Sequence, residues 1–216
     1  MAMATQQNKR TWAAMLILIL SWTFLLLIGL SSTLLDETLE TEARQVERDL
    51  GEDSARYVYS HARQWYQFLM VDSGAYRTLH RTMIPDDREK QRSRGMTTMG
   101  ERWFDWVEGR LDAVMRLIYL FLARLWVLVL WLPFVPILLL PAIYDGWQVR
   151  CIKRTNFDYA SPVVHKYAVT AVKLLLAGLG IVMTLPFALS PITFPIILIV
   201  VGLFSGLSVA NIQKRL

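Results

Sequence analysis

Residues 174–213 read LLLAGLGIVMTLPFALSPITFPIILIVVGLFSGLSVANIQ, forty positions without one charged side chain. A continuous helix of that length would extend about 60 Å, twice the ~30 Å hydrocarbon core of a bilayer. The stretch therefore predicts two membrane-spanning helices instead of one. The break is expected where Pro186, Pro191 and Pro195 cluster, since proline removes a helical hydrogen bond. We place these two spans, the third and fourth of the chain, at residues 167–189 and 191–211.

The composition of the whole chain agrees with a membrane protein. Of 216 residues 54% are hydrophobic, and the mean hydropathy is +0.35, which is too apolar for an ordinary soluble domain. The net charge of +5 does not indicate nucleic-acid binding, because the basic excess lies beside the hydrophobic runs and not in one patch. We expect no direct contact with nucleic acid.

A first span is predicted at residues 11–35, which carry no charge and follow a polar tail, residues 1–10. The alternative is a cleaved signal peptide. Signal peptides have apolar cores of only about 7–15 residues, and no A-x-A cleavage site follows here. The segment is therefore interpreted as a retained anchor.

Residues 36–112 are predicted to form a helical hairpin outside the membrane. Apolar residues recur at helical spacing from residue 36 to about 70, with a kink expected at GEDS, Gly51–Ser54. The charged residues between them, Glu42 included, are interpreted as a solvated surface. The second arm is expected at residues 97–112, where Trp103 and Trp106 give an aromatic face, and residues 85–95 as a mobile loop.

The second span is expected at residues 113–144. Arg116 and Arg124 interrupt its start, and an arginine in hydrocarbon is costly, so both should lie near the outer surface or face other helices. Asp112 and Arg116 are four residues apart and are predicted to pair on one helix face. Three prolines in this span predict a kink or an irregular segment.

The distribution of lysine and arginine predicts the orientation. Basic residues flank the spans in the tail 1–10, in the loop 145–166 and in the tail 212–216. Short basic segments stay in the cytoplasm. Both termini are therefore predicted to be cytoplasmic in a bacterial inner membrane, with 36–112 in the periplasm. This places the single cysteine, Cys151, in a reducing compartment.

The loop 145–166 is the first candidate for a partner-binding surface. It combines a turn signal at Asp145-Gly146, a basic face, and a helix N-cap. The candidate residues are Asp145, Gly146, Arg150, Lys153, Arg154 and Ser161. The alternative is a basic loop that only fixes the topology.

A second candidate surface is a strip of small residues in the fourth span. Gly202, Gly206 and Ala210 recur every four residues, a spacing that lets another helix approach closely. This strip is predicted to serve helix packing, and it makes a homo-oligomer a further candidate assembly.

Catalytic chemistry lacks candidates in the sequence. His61, His80 and His165 are scattered without metal-ligand spacing, and no P-loop, G-x-S-x-G, H-E-x-x-H or dinucleotide fingerprint occurs. We expect no catalytic residues, no cofactor, no metal site and no enzymatic activity.

The central segment resembles a known family. Its pattern P-x-x-x-D-G-x-x-x-R-x-I-x-R, followed by S-P-x-x-x-H, is similar to that of the integrating conjugative element membrane protein family. The matching positions are Pro141, Asp145, Gly146, Arg150, Ile152, Arg154, Ser161 and His165. That family comprises four-span inner-membrane proteins encoded in conjugative transfer operons, commonly beside the type IV coupling protein. The resemblance implies a role in conjugative type IV secretion without implying a molecular activity.

Three functional hypotheses follow from the sequence. The first is a non-enzymatic inner-membrane accessory subunit of a conjugative DNA-transfer apparatus, which contacts lipids and binds the coupling ATPase or another membrane component. The second is a self-assembling membrane pore or scaffold that uses the small-residue strip. The third is a membrane-bound sensor whose ligand would bind residues 36–112.

Overall fold

The computed structural model describes residues 31–83, 97–156 and 159–212, with side chains from residue 106 onward in the second range. All regular secondary structure in these ranges is helical, so the predicted all-α class is confirmed for them. The α-helices are α1 (Ser32–Leu50), α2 (Glu52–Tyr66), α3 (Ala75–Met83), α4 (Thr97–Trp131), α5 (Val135–Thr155), α6 (Pro162–Thr184) and α7 (Thr193–Ala210). A π-helical turn at Gln67–Asp72 follows α2, and a 3-10 turn at Leu132–Phe134 joins α4 to α5.

The predicted kink at GEDS is present as a break between α1 and α2. Gly51 has φ of 87°, a left-handed conformation that glycine adopts at little cost. Its amide donates to the carbonyl of Glu47 at 3.0 Å, and its carbonyl accepts from the amide of Ala55 at 3.1 Å. The backbone hydrogen bonds are thus maintained across the break.

The segment between the second and third predicted spans differs from the expectation. Pro133 lies in the 3-10 turn, but α5 continues through Pro141, Asp145 and Gly146 to Thr155. The predicted turn at Asp145-Gly146 is therefore wrong, and most of the predicted loop 145–166 is helix. The physical reason is tertiary packing of Gly146, described below, which overrides the local preference of an Asp-Gly pair for a turn.

Three stretches of helix are long and apolar enough to cross a membrane: Trp106–Thr155, Pro162–Thr184 and Thr193–Ala210. They indicate a membrane protein. The first is longer than the about 20 residues that one crossing requires. The expected span at 11–35 lies outside the described residues up to position 30, as does the expected loop 85–95. The count of four spans and the periplasmic hairpin therefore stay predictions.

The chain divides into two compact units, and α1 and α4 each contribute to both. In the unit formed by the chain up to Thr38 and Gln67–Ile118, the buried Leu111 and Met115 pack against Met70, Leu79 and Ile118.

One ion pair in this unit differs from the sequence prediction. Arg116 pairs with the carboxylate of Asp36, and its Nη1 donates to the carbonyl of Ser32 at 3.5 Å. The expected pairing of Arg116 with Asp112 on the same helix is therefore replaced by a contact between helices α4 and α1.

The second unit comprises Leu39–Tyr66 and Tyr119–Leu216. Helix α7 packs against both α5 and α6 in this unit. Its apolar core draws on α1, α2, α4, α6 and α7, through Val46, Ala55, Val58, Val127, Met183 and Phe194. Large apolar side chains elsewhere on α5, α6 and α7 are exposed, as expected for helices surrounded by lipid.

Candidate functional site

The largest fully buried side chain of the described residues is a charged one, Arg124 of α4. Its side chain is only 2% exposed, and that of its partner Glu42 in α1 is 6% exposed. The guanidinium donates to Glu42 Oε1 from Nη2 at 2.5 Å and from Nε at 3.1 Å. Nε also lies 3.3 Å from Glu42 Oε2. The two charges therefore compensate each other in a site that solvent barely reaches.

The remaining donors of Arg124 bind the carboxyl-terminal end of α6 and the residues after it. Nη1 donates to the carbonyls of Val182 at 2.9 Å, Met183 at 3.1 Å and Leu185 at 2.7 Å. Nη2 donates to the carbonyl of Phe187 at 2.7 Å. The last carbonyls of a helix lack partners within the helix and carry partial negative charge. Arg124 thus places a full positive charge against carbonyls at the end of α6 and just beyond it.

Glu42 also fixes the connection between α6 and α7. The amide of Leu189 donates to Glu42 Oε1 at 2.8 Å. One residue further on, Ser190 Oγ donates to Asp49 Oδ2 at 3.2 Å. A hydrogen bond from Arg48, at 2.9 Å, holds the pKa of Asp49 below its usual range. Helix α1 therefore holds the α6–α7 connection at two carboxylates. We use the name arginine clamp for Arg124, Glu42 and the backbone groups that these two side chains bind.

Sequence reasoning found only half of this clamp. The cost of an arginine in an apolar run predicts that Arg124 lies near the outer surface or faces other helices, and the structure shows the second of these. The interpretation of Glu42 as a solvated residue is wrong, because helical periodicity cannot show which charged residue lies against a buried partner. The signal that could have found it is the requirement of Arg124 for a carboxylate.

Helices α5 and α7 cross at very short range. The α-carbon of Gly146 faces the backbone of Gly206, and Gly206 faces the backbone of Ala142, so closely that a β-carbon on either glycine would overlap main-chain atoms. Gly202 lies one turn away, where a β-carbon would be 3.4 Å from Leu139 Cδ2. Gly202, Gly206 and Ala210 are all buried. The small-residue strip is thus covered within the chain by α5 and does not offer its surface to a second copy.

Three of the candidate partner-binding residues have roles inside the chain. Gly146 is at the helix crossing. Lys153 Nζ donates to Oδ1 of the buried Asn211 at 3.0 Å, close to the carboxyl-terminal end of α7. Ser161 is the N-cap of α6, as predicted, and its Oγ accepts from the amide of Val164 at 3.3 Å.

The other three candidates, Asp145, Arg150 and Arg154, lie on the carboxyl-terminal half of α5. Arg150 and Arg154 are one turn apart, whereas Asp145 lies on the opposite side of the helix from Arg154. Asp145 and Arg154 are exposed and Arg150 is half-buried. The Arg150 guanidinium lies 5.7 Å from the ring centroid of Trp147, a cation–π arrangement. The exposed Cys151 is in the same part of the helix. We call Trp147, Arg150 and Arg154, which recur at spacings of three and four, the α5 outer surface.

Comparison with known proteins places these features in a family. Residues 29–216 match the family model described as "IncC plasmid conjugative DNA transfer protein DtrJ-like". The chain belongs to the DtrJ-like family. The match covers all described helices, including both halves of the arginine clamp. Membership implies a role in conjugative DNA transfer, which is the general part of what the sequence resemblance implied. The specific resemblance to the integrating conjugative element family is not confirmed.

No curated protein and no solved structure matches the chain. Within the described residues there is no group of three or more His, Cys, Asp or Glu side chains that could hold a metal ion.

Proposed function

We propose that the protein is a non-enzymatic accessory subunit of a conjugative DNA-transfer apparatus in the bacterial inner membrane. It binds the coupling ATPase, or another membrane component of the apparatus, with the α5 outer surface. The observation that carries this proposal is membership of the DtrJ-like conjugative transfer family. The arginine clamp and the α5–α7 crossing agree with this proposal. They use charged and small residues to hold helices together, which is a structural role.

The α5 outer surface suits a polar contact at the membrane surface. It lies toward the carboxyl-terminal end of α5, beyond the exposed apolar residues Ile137, Leu140 and Ile143. Trp147 has an apolar ring with one polar group, a combination that favours the membrane–water interface. Arg150 and Arg154 are one helical turn apart, so both charges can reach one acidic surface of a partner.

Copurification tests the surface. The full chain, tagged and expressed with the transfer operon, should retain the coupling ATPase after membrane solubilisation. The variant Arg150→Glu/Arg154→Glu should lose the ATPase and lower the transfer frequency at unchanged protein abundance. The matched control Arg44→Glu reverses an exposed charge on α1 and should change neither. Unchanged transfer on deletion of the gene would refute the proposed role, and equal copurification of the double variant would refute the surface.

The single cysteine tests the orientation. Cys151 is exposed and lies between Arg150 and Arg154. If the α5 outer surface faces the cytoplasm, a membrane-impermeant maleimide should label Cys151 in inverted vesicles and not in intact spheroplasts. The opposite pattern would place the surface on the other side, away from a cytoplasmic ATPase.

A further inference from the structure

One face of α6 is exposed along the first two-thirds of the helix. Its residues recur at spacings of three and four, which is one stripe of an α-helix. Elsewhere α6 packs against α7, with Ala168 buried, and His165 Nδ1 lies 2.9 Å from the carbonyl of Ser208. These contacts fix the rotation of α6. We call the exposed stripe the α6 outer face: Val163, Lys166, Tyr167, Thr170, Lys173, Leu174 and Ala177.

Two lysines on this face have no acidic partner among the residues that the structure describes. Lys166 and Lys173 are seven residues apart, two helical turns, so they lie above one another about 10 Å apart along the axis. Helix α6 contains no aspartate or glutamate. Neither lysine takes part in an ion pair within the described residues. Their positive charges are therefore available to an anion from outside the chain.

The position of Lys173 favours a bound anion. Helix α6 is long and apolar enough to cross a membrane. Lys173 lies eleven residues after its first residue, Pro162, which is about 16 Å along the helix axis. An ammonium exposed to hydrocarbon at that depth is costly. Helical side chains point toward the amino-terminal end, and a lysine stem can carry its charge several ångströms in that direction. The Lys173 ammonium thereby approaches the level of Thr170 and Lys166.

The rest of the face fits a lipid. Tyr167 is 69% exposed beside Lys166, where an amphipathic ring favours the headgroup region. Beyond Lys173 the exposed residues Leu174, Ala177 and Ile181 carry no charge. Gly180 has open space where a β-carbon would be. A lipid whose phosphate lies near the lysines would therefore have an acyl chain against a shallow apolar surface about 10 Å long.

We propose that the α6 outer face binds one anionic phospholipid, with its phosphate between Lys166 and Lys173 and an acyl chain along Leu174 and Ala177. A carboxylate from another protein is the less suitable occupant, because it would have to be desolvated at the depth of Lys173. A phospholipid phosphate remains at the headgroup level and is reached by snorkelling. The inference goes beyond the proposed role in transfer and does not depend on the identity of any protein partner.

Native mass spectrometry of the full chain tests the site. Protein purified in a neutral detergent is supplied with cardiolipin, phosphatidylglycerol or phosphatidylcholine, and the retained lipid is counted. We expect the wild type to retain the anionic lipids in preference to phosphatidylcholine. Each lysine near the surface should contribute roughly fivefold in affinity, so Lys166→Gln/Lys173→Gln should lower retention roughly 30-fold. The variant Lys166→Arg/Lys173→Arg should retain the lipid.

The matched control is Arg44→Gln/Arg56→Gln, which removes the same charge from exposed positions on α1 and α2. It should bind lipid as the wild type does. Equal loss in both double variants would show a diffuse electrostatic effect and overturn the site, as would equal retention of anionic and zwitterionic lipid.

A photo-crosslinking residue at Tyr167 then identifies the occupant in native membranes. A phospholipid adduct that is lost on Lys166→Gln/Lys173→Gln supports the proposal. A protein adduct at this position, or a lipid adduct insensitive to the lysines, overturns it. Transfer frequency is not a readout in any of these experiments, so their failure would leave the proposed conjugative role standing.

Discussion

The variant Glu42→Ala should destabilise the protein far more than any exposed charge substitution. It removes the only carboxylate bound to Arg124 in the described structure and leaves a guanidinium that is 2% exposed with backbone carbonyls alone. It also leaves the amide of Leu189 without the acceptor that it uses at 2.8 Å. Breaking a buried ion pair on one side costs about 3–5 kcal/mol, because the remaining charge stays desolvated.

The same helix offers a matched control. Glu40 of α1 pairs with Arg44 at 2.7 Å, but the two side chains are about 70% exposed. An exposed pair four residues apart on a helix contributes only about 0.3–0.5 kcal/mol. Glu40→Ala therefore removes the same chemical group from the same helix at about one-tenth of the cost.

The assay is equilibrium unfolding of the full chain in mixed micelles, followed by far-ultraviolet circular dichroism. A loss of about 3 kcal/mol lowers the ratio of folded to unfolded protein by more than 100-fold. Glu42→Gln keeps an oxygen for Leu189 and removes only the charge, so its stability should lie between those of the wild type and Glu42→Ala. If Glu42→Ala and Glu40→Ala have equal stabilities, the clamp does not hold the fold and the reasoning is refuted.

Further predictions concern other contacts of the same unit. Gly146→Ala should weaken the α5–α7 crossing and lower the thermal midpoint of unfolding. Its control is Gly178→Ala on α6, where the added methyl group meets open space and should be neutral or stabilising. Equal effects of the two substitutions would refute the close crossing. Ser161→Ala should cost about 1 kcal/mol through loss of the α6 N-cap, measured by the same unfolding assay, and Ser161→Asp should restore stability. The pKa of Asp49 is lowered in the folded protein. The ionised Asp49 carboxylate therefore stabilises the folded state above the unfolded pKa of ~3.9, and this stabilisation is lost as the pH falls through the lower pKa of the folded state. The difference in stability between the wild type and Asp49→Asn should accordingly vanish at low pH. A pH-independent difference would contradict this.

The sequence predicts those features that depend on near neighbours. Residues 174–213 are uncharged, and the proline cluster within them predicts the separation of α6 from α7. Gly51 and Ser161 act through bonds to residues within four positions, so the break and the N-cap can be identified from local pattern.

Features that depend on distant residues could not be predicted in the same way. The partner of Arg124 is 82 residues away, and nothing local distinguishes Glu42 from the exposed Glu40 on the same helix. Asp145-Gly146 is a sound turn signal locally, but Gly146 is needed inside a helix by the backbone of Gly206, which is 60 residues further on. The residues around Gly146 do not indicate this crossing. It depends on how α5 and α7 are positioned against each other in the folded chain.

The arginine clamp also has a consequence for how the chain is made. The contact between Glu42 and Leu189 spans 147 residues, so it closes only after nearly the whole chain has been synthesised. Until then Arg124 lacks the carbonyl oxygens at the end of α6 that accept its hydrogen bonds. It nevertheless lies within an apolar helical stretch that has to enter the membrane. Insertion of α6 and α7 supplies four carbonyls at once. A chain truncated after α5 should consequently be a substrate for membrane quality-control proteases, and completion of the last hairpin is the step that protects it.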